Sequence, residues 1–143
     1  MNRTPVSKRG RSTLKYVMTD GQVQKNSLRE RMIIKDLLFS IPFAILNFLV
    51  VEFLYREIML TTTLLILLTI SFMVYYKSQV LLPIFFLCML GAVAEMSAIS
   101  AGAWSYTAPD FFNIPLWLFV LWGNTGVFIY RIGVLFERVG FHK

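Results

Sequence analysis

One carboxylate sits deep in an apolar run. Glu95 lies about fifteen residues into the stretch 80–103, which is otherwise almost free of charge. An ionisable group at membrane depth is costly to keep, so it is a functional candidate by default. On a helix its face carries Gly91, Ala98, Ile99 and Gly102, and Ala94, Ala98 and Gly102 form a row of small residues at four-residue spacing. Rows of this kind let a second helix come close. Glu95 is therefore expected to point into a helix bundle, where it acts as an acid or packs as a hydrogen-bonded side chain. Asn47, Asn124 or a hydroxyl would serve as its partner. Glu52 is the second candidate. It precedes Arg56 by four residues, the favourable order for a helical ion pair. It is also expected at a depth similar to Glu95, and two carboxylates in different surroundings can divide the roles of acid and base.

Five further positions accompany these acids. Asn124, near the middle of the apolar stretch 114–136, is of a type that commonly bonds a neighbouring helix. Trp104, Tyr106 and Trp117 belong to an aromatic segment that also contains Asp110. Such rings form either an interfacial belt or a cap over a pocket. Pro109 fixes a turn ahead of Asp110, and Pro115 can start the helix that follows. The predicted ligand-contacting set is Trp104, Tyr106, Asp110, Trp117 and Asn124. Glu95 is the predicted catalytic residue and Glu52 a second one.

The run Glu95-x6-Gly102-x-Trp104-x-Tyr106, followed by Ile114-Pro115, resembles small carotenoid-modifying membrane proteins. These are the lycopene-cyclase domains and the related hydratase type. The resemblance covers about 25 residues. It implies acid–base chemistry on a polyene and carries over Glu95, Trp104 and Tyr106. The same arrangement is similar to uncharacterised bacterial multi-span proteins with a Pro-Leu-Trp-Leu segment.

Other chemistries lack their residues. There is one cysteine, Cys88, and one histidine, His142, so the chain offers neither an internal disulfide nor a Cys or multi-His metal cluster. No Walker loop, dinucleotide fingerprint, GxSxG elbow or HExxH occurs. No cofactor is implied.

The elements that hold these residues follow from composition. Of 143 residues, 57% are hydrophobic and 15% charged, where a soluble domain has about 25% charged. Residues 1–36 hold nine of the fourteen Lys and Arg. Residues 1–27 read as a disordered basic arm on the cytoplasmic side. Residues 28–36, opened by the capping box Ser27-x-x-Glu30, read as a helix along the membrane surface. Four spans are predicted over 37–55, 58–76, 80–103 and 114–136, with a tail at 137–143. Each is near the ~20 residues that cross ~30 Å of hydrocarbon. Helices are required, because lipid offers nothing for an open backbone to bond. The fold class is all-α, a polytopic four-helix bundle. Pro42 falls near the start of the first span, where its missing N–H costs least. Arg131 is expected to snorkel to the inner surface.

Lys and Arg place both ends in the cytoplasm and the loop 104–113 outside. The net charge of +6 is assigned to anionic lipid headgroups rather than nucleic acid. Three readings follow. The first is an accessory or interaction protein of the cytoplasmic membrane, packing on a membrane partner or on itself. The second is an enzyme acting on a lipid-soluble substrate through Glu95. The third is an oligomeric transporter.

Overall fold

The computed structural model describes residues 8–140, with side chains placed from residue 23 onward except Asn26. It contains α1 (Lys8–Leu54), α2 (Ile58–Tyr76), α3 (Leu81–Cys88), α4 (Leu90–Ser100) and α5 (Trp117–Val139). α3 and α4 together form one span broken at Met89. Four segments are thus long and apolar enough to cross a membrane. The protein is an all-α four-helix bundle of the membrane-embedded kind.

α1 departs from the sequence reading. It runs unbroken through the arm, the capping box and the surface helix. No proline falls between residues 6 and 41, and the Lys, Arg, Gln and Glu there are good helix formers. Ser27 therefore sits inside a helix rather than opening one, and Pro42 lies in the interior. At 1.5 Å per residue α1 is roughly 70 Å long, about twice the ~30 Å of hydrocarbon. Only its C-terminal part fits the membrane, and the charged part before Asp36 extends beyond it. Residues 1–7 and 141–143 lie outside the described residues.

α5 is the helix on which all the others pack. It meets α3 through its own glycines: a Cβ on Gly123 would strike the Phe85 ring, and one on Gly126 would strike Cys88. Gly91 of α4 accepts the ring of Trp122 in the same way. The seam is thus Gly91, Gly123 and Gly126. In the row Ala94, Ala98, Gly102 the first and last residues are exposed and Ala98 is half-buried, so the ends of the row are left uncovered by the described residues. Gly126→Val is expected to lower stability by about 1–3 kcal/mol, because the added methyls displace backbone-anchored atoms of Cys88 rather than a flexible tip. Gly133→Ala, with open space around it, is the control and is expected to be neutral. Thermal unfolding of both variants in detergent checks this.

The bundle is tied at three levels. At one end of the bundle Asp36 of α1 binds Arg131 and Arg138 of α5, each at 3.0 Å. Arg131 also lies over the Tyr76 ring of α2, 3.7 Å from its centre. Its side chain is only 10% exposed, so Arg131 is held between helices instead of reaching for the surface. At mid-depth Asn124 donates to Asn47 at 2.6 Å and accepts from Thr69 at 2.6 Å, joining α5, α1 and α2. At the opposite end the Trp117 indole donates to the Tyr55 carbonyl at 3.2 Å.

Two chain reversals shape the end of the bundle that carries the loop between α4 and α5. α4 ends in a Schellman turn: the N–H of Ala103 bonds the Ala98 carbonyl, that of Gly102 bonds Ile99, and Gly102 takes φ +81°. Only glycine adopts that angle without a steric penalty. Farther on, Phe111 and Ile114 exchange backbone hydrogen bonds around Phe112 and Asn113, both at positive φ. Positive φ at both central residues is the type I′ pattern. Asp110 Oδ1 then accepts the Leu116 N–H at 2.9 Å, and buried Ile114 and Pro115 lead into α5.

Candidate functional site

α1 packs mainly on α2 and α5, whereas α4 packs on α3 and α5. This leaves a cleft of about 480 Å³ between α1 and α4, floored by α5. Phe43, Asn47 and Phe48 of α1 form one wall. Glu95 and Tyr106 form the other, and Leu121, Asn124 and Phe128 are among the floor residues. The rim residues Phe48, Trp122 and Thr125 are exposed. They belong to the spans, so the cleft opens on the face that acyl chains cover. Its size falls within the ~300–1,000 Å³ usual for small-molecule sites, and its walls are mostly apolar with a few polar groups, as such sites require.

Glu95 is the polar centre. Its Oε2 accepts a hydrogen bond from the Tyr106 hydroxyl, and its Oε1 accepts one from the Trp122 indole N–H at 2.8 Å. The local fold explains the arrangement. Gly91 stands one helical turn before Glu95 and leaves room for the Trp122 ring, whose N–H then reaches the carboxyl. The Schellman turn at Gly102 reverses the chain and returns Tyr106 to the same carboxyl eleven residues later. Two donors use half of the roughly four lone-pair positions a carboxylate offers, so acceptor capacity is left over.

Burial raises the pKa of Tyr106, and the hydrogen bond and charge of Glu95 raise it further. The phenol therefore stays protonated and donating in alkali that ionises free tyrosine. Because its folded-state pKa lies above the unfolded one, the stability tied to it is intact below the ordinary phenol value of about 10. That stability is lost as pH rises beyond it. Tyr106→Phe is expected to make unfolding less sensitive to alkali, measured as the midpoint of base-induced unfolding in detergent.

The sequence-predicted residues separate into two groups. Glu95, Tyr106, Trp117 and Asn124 all line the cleft. Trp104 is half-exposed and lines a shallower hollow with Tyr106 and Pro109. Asp110 serves the turn before α5. Glu52 is exposed and borders an adjoining recess. No ion pair joins it to Arg56 among the described residues; the Arg56 Nε–H donates instead to the Tyr55 hydroxyl at 3.0 Å. Asn47 and Asn124 bond one another rather than Glu95. Trp122, which donates to Glu95, is a site residue that the sequence does not single out. The signal that would have found it is Gly91, a gap of one helical turn ahead of the carboxylate.

No family model, no curated protein and no solved structure matches the chain. The geometry itself defines the class: a membrane-embedded helical protein with a lateral cleft and a carboxyl group fixed in its wall.

Proposed function

We propose that this multi-span protein of the cytoplasmic membrane, with both ends cytoplasmic, binds a lipid-soluble molecule in the lateral cleft and performs acid–base chemistry on it through Glu95. The observation that carries this reading is the Tyr106–Glu95–Trp122 arrangement at the wall of an apolar cleft open toward lipid. Preorganised donors fix the carboxyl in place, as a proton-transferring group requires. Tyr106 can relay a proton to or from Glu95, since a hydroxyl both donates and accepts. A polyene or lipid chain would lie along Phe43, Phe48, Leu121 and Phe128. The resemblance around Glu95, Gly102 and Tyr106 points the same way.

Mass analysis of lipid extracts from cells with and without the protein tests the enzyme reading. The expected result is one lipid-soluble species that accumulates in the knockout and another that disappears. Identical extracts would count against chemistry and leave binding alone.

A second reading, an accessory protein packed against another membrane helix, is favoured by the row Ala94, Ala98, Gly102, whose ends stay exposed. Ala98→Leu separates the two readings. It is expected to leave lipid extracts unchanged if the cleft carries the function, and to abolish function if that face does.

A further inference from the structure

The cleft does not end at Tyr106. A recess of about 250 Å³ adjoins it on the outer side and shares Val51, Tyr106 and Trp117 with it. Where the cleft is walled by aromatic and aliphatic side chains, the recess is bordered by Glu52, Tyr55, Ser105 and Thr107. These groups come from the outer end of α1 and the reversal after α4. The two spaces thus lie side by side, the cleft apolar at membrane depth and the recess polar toward the loop.

The charges around the recess have one dominant sign. Residues 78–130 contain no Lys or Arg, so the loop and the outer halves of its helices bring no cation to it. Glu52 is on the border, and Glu57 and Asp110 belong to the same outer end. Arg56 is the one basic residue there, and its Nε–H is directed to Tyr55. The Glu52 carboxylate makes no ion pair among the described residues, so it can accept hydrogen bonds from an occupant. A phosphate or carboxylate head would meet the Glu52 carboxylate here, and no Lys or Arg is among the described residues that line the recess; Arg56 stands beside it, tied to Tyr55.

We infer that cleft and recess together hold a single amphiphile with one apolar chain, whose head lies in the recess, donates hydrogen bonds and carries no negative charge. This rests on the cleft being a ligand site, as proposed above, and adds the class of molecule it takes. The chain occupies the space along Phe48 and Leu121. The head donates to Glu52 and exchanges hydrogen bonds with the Ser105 and Thr107 hydroxyls. Tyr106 and Trp117 stand at the junction of the two spaces, so the part of the molecule that passes Glu95 is the segment next to the head.

Quenching of tryptophan fluorescence tests this, because Trp117 and Trp122 both line the cleft. The full chain, carrying Trp104→Phe to silence the exposed ring, is placed in bilayers of unlabelled lipid. It is titrated with three single-chain probes brominated at mid-chain: a monoacylglycerol, an alkylamine and an alkyl phosphate. The monoacylglycerol and the amine are expected to quench saturably. The phosphate is expected to bind at least about tenfold more weakly, as like-charge contact requires. Glu52→Gln is expected to remove any advantage of the amine over the glycerol ester, and Glu52→Lys to bring the phosphate up to the level of the other two. Alanine 44 lines the cleft, so Ala44→Phe is expected to abolish saturable quenching by every probe. Equal binding of the phosphate in the unmodified site would overturn the inference while leaving the cleft a ligand site. Failure of all three probes to quench saturably would remove the ligand site itself, and this inference with it.

Discussion

Glu95→Gln is expected to reduce the proposed conversion of a lipid-soluble substrate by roughly a hundredfold or more, within the range that a positioned acid–base group contributes. The substitution is informative because the fold should tolerate it. An indole N–H only donates, so the glutamine oxygen must face Trp122. Its amide nitrogen then faces Tyr106, whose hydroxyl can turn from donor to acceptor. Both hydrogen bonds survive and only the group that exchanges a proton is lost. Glu95→Ala differs: it leaves the Tyr106 and Trp122 donors without their acceptor and combines a chemical loss with a structural one. The measurement is conversion in membranes expressing each variant, alongside the unfolding temperature in detergent. Normal unfolding with lost conversion in Glu95→Gln is the expected pair. Full conversion would move the chemistry elsewhere.

The second large effect lies far from the cleft. Asp36→Ala is expected to lower stability by about 3 kcal/mol, the scale found when one partner of a buried ion pair is removed. Asp36 is the common partner of Arg131 and Arg138, and the Arg131 side chain is nine-tenths buried. Without the carboxylate two like charges face each other, and one of them has little access to water. Arg138→Ala is expected to cost much less, since that side chain is nearly half exposed and Asp36 keeps Arg131. Chemical unfolding of both variants in mixed micelles checks the difference. Because Asp36 joins α1 to α5, its loss should also loosen the wall that carries Phe43, Asn47 and Phe48.

The architecture was largely legible in the sequence because lipid leaves few choices. Long apolar stretches had to become helices, and four helical segments among the described residues are long and apolar enough to cross a membrane. Their ends shifted where local geometry decides. The fourth span begins at Trp117 rather than residue 114 because Phe111–Ile114 spends its hydrogen bonds on a tight reversal. The third breaks at Met89, inside a run whose composition is uniformly apolar.

The candidate site was half legible. Glu95 announced itself by charge, and Tyr106 by its place in an aromatic segment. What the sequence did not show is which small residues form the seam. Ala94, Ala98 and Gly102 have the regular spacing, and Gly123, Gly126 and Gly133 also permit close approach by sequence, yet of these glycines only Gly123 and Gly126 are packed tightly, together with Gly91. Spacing marks one face of a helix but does not say which neighbour that face meets. The same limit hid the Asn47–Asn124–Thr69 chain and the double pairing of Asp36. Each joins residues more than fifty positions apart and leaves no local pattern.

The central claim is that the space between α1 and α4 holds a molecule drawn from the membrane. Mass spectrometry of what co-purifies with the protein tests it most directly, with the unmodified chain compared against Ala44→Trp, which fills the cleft from the α1 side. The expected result is one lipid-soluble species enriched over the bulk membrane extract in the unmodified protein and absent from Ala44→Trp at equal folded yield. The same lipids in the same proportions in both preparations would contradict the account.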